Sequence, residues 1–360
     1  MSEMDQARQE INRIDEEMAG LFERRMKAVE RIAQYKKENG LPVRDPGREN
    51  ALIDRCRQLI RDREIEGRYV EFMRGLIDVS CGYQESLIHG RKVAYSGVEG
   101  AYAHIAARRL FPEAECVGFN GFETAYQKVE SGEFDCAVLP LENSYAGEVG
   151  VVTDLLFNGS LFINQVTDLP IRHALMACPG TERDRIRRVY SHPQALHQCA
   201  QYIRARGWET VECDNTALAA RKVREENDPS AAAIASEETA ELYGLHLLET
   251  GINDAANNTT RFAAVSRSRN RPAQTGLRED AGFILMFTVQ NKAGALAQTL
   301  NIIGAHGYNM KTLRSRPMKE LQWNYYFYVE AEGSINNANG DMLMRELGAI
   351  CARLKLVGMY

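Results

Sequence analysis

The first candidate binding or catalytic residues are charged side chains that lie on the apolar faces, or stripes, of predicted helices. From Met4 to Tyr35, apolar residues recur alternately every three and four positions, and the stripe position after Leu21 is Arg25. A guanidinium on an apolar stripe is costly to bury without an anion beside it. Two interpretations stay open: Arg25 binds an anionic ligand, or it snorkels to the surface or pairs with a structural carboxylate.

Two further basic residues on the same predicted helix bear on this choice. Lys36 lies three turns after Arg25 on the same face, about 16 Å along the axis, so both side chains can converge on one small molecule. Arg8 lies about 25 Å before Arg25 on a different face. It can join the others only from a second copy whose helix runs antiparallel, which predicts a dimer.

The next two predicted helices also carry polar groups on their inward stripes. The second begins at Asp45-Pro46, a capping residue followed by proline at the first helical position, and Glu49 continues its apolar stripe backwards. The apolar stripe of the third extends to Ser80 and Gln84. A set of such residues on three helices predicts a polar-lined cavity.

Three polar loops further along the chain follow or precede short apolar runs. Residues 140–147 follow a run that ends at Leu139, residues 191–194 lead into a helix that carries Gln198, and residues 257–262 precede a third run. Ligands of α/β domains bind beyond the carboxyl ends of strands, where helix N-termini offer free N–H groups. Each loop taken singly is more often a cap or a turn.

The pattern of apolar and polar residues along the chain divides these candidate residues among three segments. Residues 1–89 are helical in pattern, whereas residues 91–268 alternate short apolar runs with amphipathic stretches, which is typical of an α/β domain. A polar linker, Arg267–Asp280, precedes a third domain at residues 281–360. That domain reads as βαββαβ, with predicted strands at Phe283–Gln290, Asn309–Arg314, Asn324–Glu330 and Leu354–Met359 and helices at Gly294–Ala305 and Gly340–Ala352.

Composition excludes several functional classes. The 49 acidic and 44 basic residues are interspersed, which argues against nucleic acid or a membrane surface as a partner. The first residues are polar and no apolar run approaches about 18 residues, so we expect a cytoplasmic protein. The eight cysteines fall singly, which favours reduced buried thiols over disulfides or a metal site.

The helical segment resembles the all-helical class of chorismate mutases. The resemblance implies an all-α, three-helix domain in an intertwined dimer, with Lys36, Glu49 and Gln84 as catalytic residues. Arg25 and Arg8 of a second protomer would hold the two carboxylates of chorismate, and Lys36 and Gln84 would hydrogen-bond its ether oxygen. The family's ligand set maps onto Arg8, Arg25, Lys36, Asp45, Arg48, Glu49, Ser80 and Gln84.

The α/β segment resembles prephenate dehydratases through Pro-Leu-Glu-Asn-Ser, Ser-His-Pro-Gln-Ala-x-x-Gln-Cys and Thr-Arg-Phe. The resemblance implies a two-lobed, periplasmic-binding-protein-like fold with prephenate in the cleft. Thr260 would be the essential hydroxyl and Arg261 the cation for the side-chain carboxylate. Alanines stand at 101 and 103, where the family commonly has hydroxyl residues. The implied catalytic set is Thr260, Asn143 and Gln198, and the implied binding set is Ser144, Gln194, Arg261 and Phe262.

The C-terminal segment resembles ACT regulatory domains, which have an α+β, ferredoxin-like fold and bind an amino acid. Here we expect phenylalanine, although a purely structural dimerisation domain is the alternative. The family's Glu-Ser-Arg-Pro motif reads Arg314-Ser315-Arg316-Pro317 in this chain. The implied effector-binding residues are Asn291, Ala293, Gly294, Ala295, Leu296, Leu313, Ser315 and Arg316.

The order of the three segments is that of bifunctional chorismate mutase/prephenate dehydratases with a regulatory domain. The resemblance implies conversion of chorismate through prephenate to phenylpyruvate in phenylalanine biosynthesis, by a homodimer or higher homo-oligomer. We expect no cofactor and no metal, because neither reaction needs redox chemistry or a Lewis acid. Two alternatives remain: a dehydratase domain reduced to binding, and an amino-acid sensor without enzymatic activity.

Overall fold

The computed structural model describes residues 2–255, 257–269, 281–318 and 324–360. The chain folds as two compact units that divide between Lys92 and Val93. The predicted linker Arg267–Asp280 falls mostly on residues 270–280, which lie outside the described residues. Within the described ranges, no helix is both long and apolar enough to cross a membrane.

The first unit, called here the helical unit, consists of three helices, as predicted. They are α1 (Glu3–Asn39), α2 (Pro46–Arg57) and α3 (Arg63–His89). Asp45 is the N-cap of α2 and its side chain accepts a hydrogen bond from the Arg48 N–H, with Pro46 in the first turn. Gly40 ends α1 in the left-handed conformation, with φ of 61°.

The core of the helical unit is small and involves little of α1. It is built mainly from Val43, Ile53, Met73 and Ile77, together with two cysteines. In the 37 residues of α1 only Val29 and Ala33 are buried. The apolar stripe of α1 is instead exposed at Met4, Ile11, Ile14, Met18 and Leu21.

The second unit contains the remaining elements, which the following bounds define. The helices are α4 (Tyr102–Leu110), α5 (Phe122–Glu130), α6 (Gly150–Asn158), α7 (Pro193–Gln198), α8 (Ala200–Arg204), α9 (Thr216–Glu226), α10 (Glu237–Tyr243), α11 (Ala295–Ala305) and α12 (Ala338–Ile350). The strands are β1 (Lys92–Ser96), β2 (Glu115–Phe119), β3 (Cys136–Asn143), β4 (Gly147–Glu148), β5 (Phe162–Pro170), β6 (Ala174–Ala177), β7 (Arg188–Ser191), β8 (Glu209–Glu212), β9 (Ala231–Ala235), β10 (His246–Glu249), β11 (Thr259–Ser266), β12 (Gly282–Thr288), β13 (Met310–Pro317), β14 (Tyr325–Glu332) and β15 (Arg353–Met359).

Residues 93–269 form two lobes, each built on its own sheet, as the resemblance implied. The first lobe carries β1 to β5 and β11, in the order β5-β11-β3-β1-β2, with β4 paired to β3. The second lobe has the order β10-β6-β9-β7-β8. Strand β11 returns to the first lobe and pairs antiparallel with both β3 and β5.

Residues 281–360, the C-terminal domain, have the predicted βαββαβ order of β12, α11, β13, β14, α12 and β15. One face of their sheet packs against α11 and α12 in a core that includes Phe283, Leu285, Phe287, Ile303 and Leu343. The helices therefore cover only this face, and the opposite face is left for the first lobe.

The opposite face of the C-terminal sheet packs on the first lobe, which the sequence pattern did not indicate. Tyr326 stacks on Phe157 of α6 with ring centroids 4.2 Å apart. Strand β15 pairs with β5 through Gly358 and Ile163, so one continuous sheet runs through both domains. A side chain at Gly358 would collide with the Ile163 carbonyl oxygen, so this close approach requires glycine.

Candidate active sites

In the helical unit, α1 and α3 bring Arg25 and Ser80 together. The Arg25 guanidinium donates to the Ser80 hydroxyl, and one of its nitrogens lies 3.5 Å from the Leu76 carbonyl oxygen. The Ser80 hydroxyl donates to the same carbonyl at 2.6 Å. Arg25 is thus turned inward from the apolar stripe and held without a carboxylate among these contacts.

Gln84 lies one turn after Ser80 and has an unsatisfied acceptor. Its side chain is 6% exposed, and its amide nitrogen donates to the Ser80 carbonyl at 3.2 Å. Its amide oxygen is buried and has no hydrogen-bond partner within the described residues. Because an unpaired buried polar atom costs about 1–3 kcal/mol, this arrangement suits a cavity that a polar ligand fills.

Lys36 and Glu49 lie near the same part of α3. Lys36 donates to the Val43 carbonyl, and a Glu49 carboxylate oxygen lies 4.0 Å from the Cys81 sulfur. Burial raises the pKa of the Cys81 thiol, and the charges of Arg44, Glu49 and Lys36 all act on it. Arg44 also lies 3.6 Å from Glu49, and the sequence prediction missed it because no stripe position marks it.

Three other predicted residues of this site remain on the surface. Arg8, Asp45 and Arg48 are exposed, and Asp45 serves as the cap of α2. An open surface groove of about 730 Å³ lies beside Arg25, and its other lining residues, such as Leu21 and Arg31, also belong to α1. The helical unit by itself therefore assembles only part of the predicted ligand set.

In the second unit, a cavity of about 750 Å³ lies between the two lobes. Of the predicted residues, Asn143, Gln194, Gln198 and Phe262 line it. Its other lining residues include Ala101, Tyr102, Ala103, Phe122, His173, His192, Asn215 and Thr216.

The side chains of Asn143 and Thr260 form a polar contact at the cleft wall, where Asn143 lines the cavity and Thr260 lies directly behind it. The Asn143 amide oxygen accepts from the Tyr145 and Ala146 N–H groups at 3.0 and 2.9 Å, which fixes the orientation of the amide. The amide nitrogen then donates to the Thr260 hydroxyl at 2.8 Å. Within the described residues that hydroxyl donates to no group, so its own proton is free for a ligand.

Gln198 is held on the other side of the cleft by a histidine that the sequence prediction missed. Gln198 Oε1 and His173 Nε2 lie 2.9 Å apart, and His173 Nδ1 lies 3.2 Å from the Tyr102 hydroxyl. That hydroxyl donates to the Arg172 carbonyl at 2.8 Å. Burial lowers the pKa of His173, and the hydrogen bond with Gln198 opposes this effect. No motif marked Tyr102 or His173, whose roles arise from tertiary contacts.

The cleft is lined without lysine or arginine in the part of the chain that the structure describes. Two helices of the first and second lobes, α4 and α9, begin at its wall with Tyr102 and Thr216. Their first N–H groups have no partner within the helix and favour negative charge. The carboxylate of Asp214 also lines the cleft, and the Asn215 side chain already caps α9 by accepting from the Leu218 N–H. An anion in this cleft would therefore be met by the remaining N–H groups of the two helix N-termini and by side-chain amides, away from Asp214.

Comparisons with known proteins identify the family of the chain. Residues 7–85 match the sequence family of chorismate mutase type II, and residues 93–270 match that of prephenate dehydratase. A bifunctional chorismate mutase/prephenate dehydratase from Enterobacter agglomerans is 33% identical over 98% of this chain and 94% of its own. The chain belongs to this family.

Two solved structures resemble the dehydratase part of the chain. The crystal structure of prephenate dehydratase from Arthrobacter aurescens in complex with L-Phe is 28% identical, with a TM-score of 0.68 over 75% of this chain and 89% of that one. GqqA, described as a novel type of quorum quenching acylase, is 32% identical, with a TM-score of 0.68 over 75% of this chain and 97% of that one.

Two predicted residues of the dehydratase domain, residues 93–269, do not face the cleft. Successive side chains of a strand point to opposite faces, so Arg261 points away from the side that Thr260 and Phe262 share. Its guanidinium is bound by Asp168 at 2.9 Å and Glu330 at 3.0 Å. The structure therefore contradicts the prediction that Arg261 binds the substrate carboxylate. Ser144 is exposed and instead accepts from the Thr259 N–H at 3.0 Å.

The predicted effector residues of the C-terminal domain divide between two places. Asn291, Ala293, Gly294, Ala295 and Leu296 lie at the turn into α11, where Gly294 has a φ of 82°. On β13 the even-numbered residues are half-buried and the odd-numbered residues, including Leu313 and Ser315, are exposed. Arg316 therefore faces the dehydratase domain, where it pairs with Asp154 at 3.1 Å, and does not join the other effector residues.

Proposed function

We propose that the helical unit, the mutase domain, rearranges chorismate to prephenate and that the dehydratase domain converts prephenate to phenylpyruvate at Thr260. The observation that carries the second assignment is the Asn143 amide, which donates to Thr260 and leaves the hydroxyl proton available. The phenylpyruvate so formed serves phenylalanine biosynthesis. Neither step requires a metal or a redox cofactor.

Chorismate rearrangement is a one-step pericyclic shift, so catalysis consists of holding the folded substrate and stabilising charge on the breaking C–O bond. Arg25 and Ser80 bind a carboxylate. Lys36 and Gln84 donate to the ether oxygen. The Gln84 amide nitrogen donates one N–H to the Ser80 carbonyl, which holds the side chain in place, and its second N–H is the donor to the ligand.

A second copy of the chain completes the mutase site. The stripe from Met4 to Leu21 exposes large apolar side chains along one face of α1, with Leu21 59% exposed. An antiparallel α1 from a second protomer covers this face and brings its Arg8 toward Arg25. The dimer thereby supplies the Arg8 cation that one protomer lacks at its own site. Asp45, Arg48 and Glu49 contact the substrate from the edge of this site.

Prephenate binds in the cleft of the dehydratase domain with its carboxylates at the N-termini of α4 and α9. Its decarboxylation releases CO₂ while the ring hydroxyl departs and takes up one proton to form water. Thr260 donates a hydrogen bond to the departing oxygen, and Gln198 and Gln194 hold the substrate opposite. The described lining residues include no lysine or arginine, which supports binding through N–H groups, and the substrate carboxylates lie away from the Asp214 carboxylate that also lines the cleft.

The C-terminal domain acts as an ACT-type sensor that binds phenylalanine at the turn before α11. The L-Phe complex of the Arthrobacter aurescens relative supports this choice of effector. Phenylalanine inhibits only if it binds one state of the chain more tightly than another.

Separate assays of the two half-reactions test this proposal. Chorismate consumption reports the mutase domain, and phenylpyruvate formation from added prephenate reports the dehydratase domain. Phenylalanine is then titrated into both assays. We expect it to slow the dehydratase reaction and leave the mutase reaction unchanged; equal rates with and without phenylalanine would reject the effector assignment.

A further inference from the structure

Two adjacent residue pairs of β3 and β11 connect the cleft with the C-terminal domain. Thr260 is paired in register with Asn143, and the next pair is Arg261 with Glu142. Asn143 and Phe262 line the cleft, and Thr260 shares the face of β11 with Phe262, so Arg261 and Glu142 face the other side of the same sheet. A shift of Arg261 or Glu142 therefore moves the backbone of Thr260 or Asn143, because these residues are neighbours in the chain.

Both residues of the second pair are bound by the C-terminal domain. Arg261 Nη1 lies 3.0 and 3.2 Å from the two carboxylate oxygens of Glu330 on β14. Glu142 forms an ion pair with Arg314 on β13. The domain thus holds one residue beside Thr260 and one beside Asn143.

Glu330 is buried, which makes its pairing strong. Its side chain is 3% exposed, and it also accepts a hydrogen bond from the Tyr360 hydroxyl. Removing one partner of a buried ion pair leaves the other charge uncompensated, which strongly destabilises the folded arrangement. Arg261 is therefore held firmly, and Asp168 fixes its other edge at 2.9 Å.

We propose that Glu330 is a positioning residue for the dehydratase reaction: through Arg261 it holds β11 so that the Thr260 hydroxyl stays on Asn143. The Arg314–Glu142 pair does the same for β3. The C-terminal domain is in this way part of the dehydratase site, and a ligand that shifts β13 or β14 changes the geometry of Thr260. This inference rests on the proposed assignment of Thr260 and Asn143.

Glu330→Gln in the full-length chain tests the proposal, because it keeps the side-chain shape and removes the charge. We expect kcat with prephenate to fall at least about tenfold and KM to stay within about twofold, since positioning acts on the reacting geometry. Mutase turnover of the same variant should not change. Asp154→Asn is the matched control, because Asp154 pairs with Arg316 in the same interface but lies on α6 and not on β3 or β11; its kcat should stay within about twofold.

Arg314→Gln provides a second variant should Glu330→Gln fail to fold, and it should also lower kcat at unchanged KM. The double variant Arg261→Gln/Glu330→Gln should lose no more than Arg261→Gln alone, because Glu330 acts through Arg261. Normal kcat in the folded positioning variants would overturn the proposal, as would an equal loss in Asp154→Asn. Thr260→Ala separates the two assignments, since full activity in that variant rejects the role of Thr260 itself.

Discussion

The side-chain amide of Asn143 donates a hydrogen bond to the hydroxyl of Thr260 at 2.8 Å, across the paired strands β3 and β11. Two backbone N–H groups hold the other end of that amide, so the direction of this hydrogen bond is fixed. The Thr260 hydroxyl therefore accepts from Asn143, and its own proton has no acceptor among the described residues. The dehydratase predictions depend on this relationship.

Thr260→Val removes the hydroxyl but keeps the branched shape of the side chain. We expect the rate of phenylpyruvate formation from prephenate to fall about 10²–10³-fold, as for loss of one transition-state donor. Thr260→Ser retains the donor and should keep most of the activity. Steady-state kinetics with prephenate measure both, and a valine variant as active as the serine variant would contradict the assignment.

Lys36→Ala should reduce mutase turnover by a similar factor, about 10²–10³-fold, because it removes the proposed donor to the ether oxygen. The helical content by circular dichroism should not change, since Lys36 contributes only a hydrogen bond to the Val43 carbonyl. Dehydratase activity with added prephenate serves as the control in the same chain. Near-normal consumption of chorismate would exclude Lys36 as a catalytic residue.

Hybrid dimers test whether each mutase site draws on two protomers. Arg8→Ala and Lys36→Ala should each be nearly inactive as homodimers. After unfolding and refolding together, about half of the dimers are hybrids with one intact site, so about a quarter of wild-type activity should return. No recovery in a mixture that forms dimers by light scattering would contradict the shared site.

Acidification should destabilise the dehydratase domain before its carboxylates titrate. Burial lowers the pKa of His104, His173 and His192 below the ordinary 6.5, so the folded state binds fewer protons than the unfolded state. Their contribution to stability is complete above pH 6.5 and is lost as the pH falls toward the lowered values. His173→Gln should therefore reduce the drop in melting temperature between about pH 7.5 and about pH 5.5, and an unchanged drop would contradict this account.

The sequence predicted the elements of the fold well because local signals specify them. Asp45-Pro46 marks the start of α2, and the βαββαβ order of the C-terminal domain is confirmed. Cleft residues such as Asn143 and Gln198 were found through motifs. The direction of side chains was harder to predict. Strand alternation turns Arg261 and Arg316 away from their predicted ligands, and each then forms an ion pair, Arg261 with Glu330 and Arg316 with Asp154.

Residues without a chemical signal of their own could not be found from the sequence. Tyr102 and His173 are far apart in the chain and meet only because the lobes fold against one another. Asn258 lies in the polar loop 257–262 that the sequence singled out, but the sequence did not indicate its partner: its amide oxygen accepts from Asn143 at 2.8 Å. Contacts of this kind depend on tertiary packing, which neither periodicity nor local spacing encodes.

The most direct test of the central claim is to incubate the purified chain with chorismate alone and to follow prephenate and phenylpyruvate over time. We predict that prephenate appears first and that phenylpyruvate then forms without any added enzyme. Prephenate that accumulates without conversion would contradict the dehydratase assignment, and chorismate that stays unchanged would contradict the account as a whole.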